Sequence, residues 1–197
     1  MQGRADNIEL NERGENQSYL LGDRLEEEGI SFHKVFSSPA VRCSMTAEKV
    51  CGIINYPIEE IIYLNDLHEL SQGEWEGRNR NEIYTADLIR RIEENPWAFK
   101  APGGESLEDG AKRMVNVFDR YILLGEHDEK NIGVVGHGLA FKYYLTEITR
   151  SNPAITTNIT IDNCSITQLE YNTKRPRQPW KFVKTNENAH VMRVGYS

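Results

Sequence analysis

No stretch of this chain approaches the roughly 20 apolar residues that a membrane-spanning helix needs, so no transmembrane helix is predicted. The opening Met1-Gln2-Gly3-Arg4-Ala5-Asp6 lacks the apolar core of a signal peptide. Cysteine is scarce. Cys43, Cys51 and Cys164 are odd in number and form no CxxC or zinc-like spacing, so reduced thiols in a cytoplasmic protein are expected rather than a disulfide framework or a metal site. Positive charge is also short: a net charge of −7 argues against a general nucleic-acid binder, which would show a basic stripe. It leaves room for a small anionic ligand, because a few arginines in a cleft can dominate the local potential. Repeats, low-complexity tracts and Gly/Ser/Pro linkers are absent, so residues 1–197 read as one domain, with 172–197 as a C-terminal hairpin or tail.

What is present is ordinary globular material, 39% hydrophobic and 27% charged, arranged as alternating strands and helices. Asn11 can cap a helix running to about Glu28, with Gly29 as its stop and Leu21 and Leu25 on one face. Lys34 to Ser38 reads as a strand. Ser38-Pro39 then reads as N-cap and first helical position of a helix to about Ile54, with Met45, Val50, Ile53 and Ile54 as core. Pro57 to Leu64 is strand-like, Asn79 to Glu94 helical with a stop before Pro96, and Ser106-Leu107-Glu108-Asp109 opens another helix as a capping box. Asn131 to Gly136 is a continuous apolar strand, as in a buried parallel sheet, and Leu139 to Thr149 is helical. Cys164–Tyr171 and Trp180–Lys184 are two late strands around the basic loop Lys174 to Arg177. The pattern predicts an α/β fold with a mostly parallel central sheet in three layers, helices on both faces.

Three segments fall at predicted strand ends, where ligands of α/β proteins bind. In Ser37-Ser38-Pro39-Ala40-Val41-Arg42, an arginine in the first turn of a helix can face the same anion as the helix N-terminus, and its planar fork matches phosphate oxygens. Taken alone, Arg42 reads more simply as half of a surface ion pair. In Leu67 to Gly77, Glu69 can serve as a general acid if its surroundings raise its pKa; a lone loop glutamate is more often solvated, as expected for Glu74 and Glu76, while Trp75 packs. In Val134 to Gly138, His137 is flanked by glycines, which allow backbone to approach a ligand closely.

Taken together and in order, these segments resemble the histidine phosphatase superfamily, the phosphoglycerate-mutase-like fold. The resemblance is carried by Gly3-Arg4-Ala5-Asp6-Asn7-Ile8-Glu9-Leu10, Ser37 to Arg42, Glu69 with Gly73-Glu74-Trp75-Glu76-Gly77, Pro102-Gly103-Gly104-Glu105-Ser106 and Val134 to Gly138. It extends from Gln2 to about Tyr171. It implies that Arg42 binds the transferred phosphoryl group, that His137, with Gly138 beside it, donates hydrogen bonds to that group, and that Glu69 is the acid–base residue. Gln2 and Gly3 match positions near the mouth of the phosphate site; Glu105, Ser106 and Arg113 read as structural. The implied function is metal-independent hydrolysis of a small phosphorylated substrate through a phosphohistidine. It implies no cofactor, nucleic acid or membrane, and a homodimer is compatible with the reading. Mutases of the family carry Arg-His-Tyr after the acid and a longer insertion, whereas Leu70-Ser71-Gln72-Gly73 follows Glu69 here. The hydrolase reading is therefore preferred to a phosphoglycerate mutase, its nearest rival.

One family segment has no counterpart. An Arg-His-Gly strand end, which supplies the attacking histidine, precedes the Gly-Arg stretch in relatives, and Met1 stands almost at that point. His33, His68, His127 and His190 do not replace it: they precede a strand, neighbour the acid, sit in an acidic turn and lie in the tail. That strand is central in the family. Five or six buried side chains at roughly 1.5–3 kcal/mol each amount to about 10 kcal/mol, comparable with the roughly 5–15 kcal/mol net stability of a domain. Because the other catalytic positions are kept, a start codon placed too late or a chain beginning downstream of its natural N-terminus is expected, rather than a truncated protein that completes its sheet differently. A non-catalytic phosphate- or partner-binding module is the rival from another class. Specificity is expected in variable loops, Arg78 to Trp97 and Arg150 to Asn158.

Overall fold

The computed structural model describes residues 2–123 and 130–192; His127 falls outside them. Helix α1 spans Glu12–Glu27, the Asn11 side chain accepting from the Gly14 N–H at its start, and Gly29 at φ 66° follows its end. Its buried residues Gln17, Ser18, Gly22 and Leu25 form a stripe that packs on helix α2, Val41–Ile53. Leu21 is only half-buried.

Strand β1, Lys34–Ser37, explains the layering. Successive side chains of a strand point to opposite faces, and here both faces are covered. Val35 packs with Ala47, Cys51 and Ile61 on the α2 side. Phe36 packs with Met114, Val117 and Tyr144, on the side of the helices Leu107–Val117 and Gly138–Ile148. Strands β2 (Ile62–Tyr63) and β3 (Ile132–Val135) flank β1, both parallel to it, in the order β2-β1-β3. The register pairs Ser37 with Tyr63 on one side and with Val135 on the other. The chain is thus α/β with helices on both faces, and β1 and β3 are hydrogen-bonded directly to each other.

Several elements differ from the sequence reading. Helix α2 starts at Val41 with Ala40 at its N-cap and no side-chain cap. Ser38 cannot cap it, because Ser38 is fully buried in the preceding loop and its hydroxyl faces His137. Of the expected core of α2, Val50 is buried while Met45, Ile53 and Ile54 are half-buried, and Cys43, Ala47 and Cys51 complete the buried face. Within Pro57 to Leu64 a 3-10 turn over Ile58–Glu60 leaves only two residues in the sheet. The helix expected over Asn79 to Glu94 is two helices, α3 (Arg80–Ile83) and α4 (Ala86–Glu94), because Tyr84 leaves helical geometry at ψ 69° and the Thr85 side chain caps the second by accepting from Leu88. Helix α5 (Leu107–Val117) carries the capping box, Ser106 and Asp109 bonding reciprocally, and helix α6 is Gly138–Ile148.

Strands β4 (Ile166–Tyr171) and β5 (Trp180–Glu187) form a separate antiparallel pair, followed by the short helix α7, Ala189–Met192. Cys164 is not in the strand, since its backbone turns through φ 54°. The hairpin docks through Trp180, whose ring stands edge-on to Phe118 and Tyr144 at centroid distances of 6.5 and 6.0 Å. Edge-to-face contacts of this kind add to the apolar area that large rings bury.

Candidate active site

Parallel register places the site. With Ser37 level with both Tyr63 and Val135, all three strands release their chains at one end of the sheet, and the Ser38 N–H is held by the Val135 carbonyl at 2.9 Å. From that end β1 leads to Arg42, β2 to Glu69 and β3 to His137. Residues 95 apart in sequence therefore meet: Nη2 of Arg42 is 3.1 Å from Nδ1 of His137.

A guanidinium only donates, so Nδ1 of His137 accepts and Nε2 carries the proton. Nε2 lies 2.9 Å from the Ser38 hydroxyl, to which it donates, and that hydroxyl also accepts from the Ala40 N–H at 3.3 Å. Burial, and then the Arg42 charge, push the His137 pKa down to about 3, so the ring is neutral near pH 7. Cys43 Sγ lies 3.5 Å from Nε2, and burial pushes its thiol up to about 12, which leaves no reactive thiolate there.

Arg42 is further engaged by main chain: Nη1 donates to the Ala5 carbonyl at 2.7 Å and Nη2 to the Gly3 carbonyl at 3.1 Å. The Val41 N–H, first in helix α2, is taken by the Asp6 carbonyl. The anion donor expected from that helix N-terminus is thus partly used by the chain itself.

Glu69 occupies a position the sequence did not signal. Its Oε1 accepts from the N–H groups of Leu70 and Ala140, both at 2.9 Å, and Oε2 accepts from Leu139 at 3.3 Å. The carboxyl thus caps the first turn of α6, the helix that follows His137. Burial raises its pKa, while those N–H groups and the Arg42 charge pull the other way; the net shift is upward, the direction a general acid needs. The loop carrying it is pinned from behind. Arg113 Nη1 donates to the carbonyls of Asp66 and His68 at 2.6 and 2.9 Å, and Arg4 Nε donates to the Glu69 carbonyl at 3.0 Å. Both arginines meet the Glu105 carboxylate, at 2.8 and 2.9 Å. Glu105, Ser106 and Arg113 are structural, as read from the sequence. Arg4, in the stretch Gly3-Arg4-Ala5-Asp6, belongs with them.

Glu76 is a correction. It is not solvated: Oε1 accepts from the N–H groups of Arg4 and Gln72 at 3.0 and 2.9 Å, tying the N-terminal segment to the Glu69 loop, whereas Glu74 is exposed. Gln2, Gly3, Arg42, Glu69, His137 and Gly138 all line one cleft of about 1320 Å³. Among the described histidines, His137 is the one that lines it. His68 instead bonds Asp6 at 3.0 Å.

The histidine phosphatase superfamily (branch 1) model matches residues 1–186, and the chain belongs to that family. It is 26% identical over 190 residues to the uncharacterized phosphatase PhoE of Bacillus subtilis, covering 96% of this chain and 87% of that protein. It is also 26% identical over 167 residues, 83% of this chain and 75% of the other, to a 2,3-bisphosphoglycerate-dependent phosphoglycerate mutase of Gloeobacter violaceus. Its fold matches a mycobacterial glucosyl-3-phosphoglycerate phosphatase solved with inorganic phosphate, with a TM-score of 0.77, 22% identity and coverage of 96% and 92% of the two chains. Among the described residues no helix is long and apolar enough to cross a membrane.

Proposed function

We propose that the chain acts in the cytoplasm on small phosphomonoesters, with Arg42 and His137 gripping the phosphoryl group and Glu69 serving as the acid–base residue. The observation that carries this is the 3.1 Å contact between Arg42 and His137 at the end of the sheet, in the cleft that also takes in buried Glu69. In the family mechanism a histidine nitrogen attacks phosphorus, the ester P–O bond breaks, and the leaving alcohol takes a proton from the acid. Water then attacks phosphorus as the P–N bond breaks, giving a proton back to the same carboxylate and releasing inorganic phosphate and the free histidine. Arg42, with His137 beside it, would stabilise charge on the equatorial oxygens, a role that needs no metal.

His137 is not the attacking atom in this arrangement, because Arg42 and Ser38 occupy both of its nitrogens. The nucleophile expected from the resemblance is the histidine of an Arg-His-Gly segment ahead of Gln2. The same engagement of Arg42 and His137 favours one second reading, a module that binds phosphate without turning it over. A phosphoglycerate mutase stays the alternative within the family.

Vanadate titration tests the core of the assignment. The chain should bind it, and Arg42→Ala should weaken binding by about 1.5–3 kcal/mol, the range for hydrogen bonds to a charged group. An unchanged vanadate affinity in that variant would remove Arg42 from the phosphoryl site.

A further inference from the structure

The cleft of about 1320 Å³ exceeds the roughly 300–1,000 Å³ of ordinary small-molecule pockets. A phosphoryl group at Arg42 and His137 takes up only a small part of that volume, so the remaining wall is free to face whatever the phosphate is attached to. On that wall three aromatic side chains from three separate segments converge. Trp75, from the turn after Glu69, stands edge-on to Tyr84 at the end of α3, with centroids 6.1 Å apart and planes at 64°. Phe99, beyond α4, lies 6.0 Å from the same indole. All three line the cleft, as do Ile92 and Leu107, and each of the five is half-buried rather than sealed in a core. Of the cations that line the cleft beside this wall, Arg80 and Lys100, Arg80 already lies over the Tyr84 ring at 5.1 Å, a contact that an aromatic face attracts.

Half-buried rings that face a cleft continuous with a phosphate grip are suited to a flat apolar group, since offset and edge-on stacking accept an additional ring. We propose that the substrate is the phosphate ester of an aromatic or similarly flat apolar alcohol, seated against Trp75, Tyr84 and Phe99. This rests on the phosphate reading of Arg42 and His137 and adds to it the substrate class.

Calorimetric titration with inorganic phosphate, methylphosphonate and phenylphosphonate tests it without requiring turnover. Phenylphosphonate should bind at least about tenfold more tightly than methylphosphonate, a difference of about 1.4 kcal/mol. In Tyr84→Ala and in Phe99→Ala the ratio should fall below about threefold, with circular dichroism and the melting temperature showing both variants folded. Equal affinities of the wild-type chain for the two phosphonates would overturn the aromatic seat while leaving the phosphate reading intact. A ratio preserved in both variants would overturn the residues named. A chain that does not bind even inorganic phosphate overturns the phosphate reading, and this inference with it.

Discussion

His137 is neutral because the protein surrounds it with a buried environment and a guanidinium, and that has a cost that appears on acidification. In the unfolded chain a histidine takes up its proton near pH 6.5, whereas in the folded chain it does so only at about 3. Between those values the unfolded state binds the extra proton, so stability rises with pH there and is lost as pH falls through the window. Glu69 acts in the opposite sense. Its raised pKa favours the folded state below the ordinary carboxyl range, and that contribution is lost as pH climbs through its folded value. Comparing the wild-type chain with His137→Gln isolates the histidine. Between pH 7 and pH 4 the wild type should lose more stability than the variant, by on the order of a few kcal/mol, read from urea midpoints at each pH. Parallel pH profiles for the two chains would mean that His137 is protonated in the folded state as readily as in the unfolded one.

Elements show what the sequence makes legible and what it hides. The capping box at Ser106, Asn11 at the start of α1 and the apolar run of β3 were readable because each is a local rule satisfied by neighbours in sequence. Ser38 obeyed such a rule on paper and failed it in the fold, because a partner 99 residues away, His137, claims its hydroxyl. The break between α3 and α4 was masked by helical composition on both sides of Tyr84 and Thr85. The caps that Glu69 places on α6 and the bonds at Glu76 left no local signal, since their partners arrive only through the sheet register. One long-range contact did leave a trace in the glycines. Gly73 turns through φ 49°, and a Cβ built there would lie 2.2 Å from the Pro102 carbonyl; beside it the Glu74 N–H bonds that same carbonyl at 3.0 Å. The Glu69 loop and the Pro-Gly-Gly turn thus dock backbone to backbone, where no side chain fits. Gly73→Ala should cost about 1–3 kcal/mol, the range for a strained backbone conformation, and should also weaken phosphate binding by displacing the loop that presents Glu69. A fully stable Gly73→Ala chain in urea denaturation would show that the two loops separate without penalty.

For the whole molecule, family membership over residues 1–186 has to be reconciled with a described sheet in which β1 and β3 pair directly, from Lys34 opposite Ile132 to Ser37 opposite Val135. Those four pairs bring Arg42 and His137 together. A strand carrying Arg-His-Gly can enter this sheet between β1 and β3, replacing their ladder with two new ones, or it can add along another edge. In the first case its histidine would arrive at the same strand end, between the groups that now touch each other, and Arg42 would be drawn off His137 onto the phosphoryl group. Of the cleft's thiols and imidazole, Cys43 is held as a thiol, burial pushes Cys164 the same way, and His137 is bonded through both nitrogens. The 197-residue chain should therefore hydrolyse p-nitrophenyl phosphate at mildly acidic pH at least about a thousandfold more slowly than a version extended upstream with Arg-His-Gly, since removing a nucleophile that works as part of a unit abolishes most of the rate. If the 197-residue chain, shown to be folded and monomeric, is as active as the extended one, the attacking group lies elsewhere. His68, 3.0 Å from Asp6, or a water activated by Glu69 is then the group to replace. If neither version turns over a phosphomonoester while both bind phosphate, Arg42 and His137 form a binding site without chemistry.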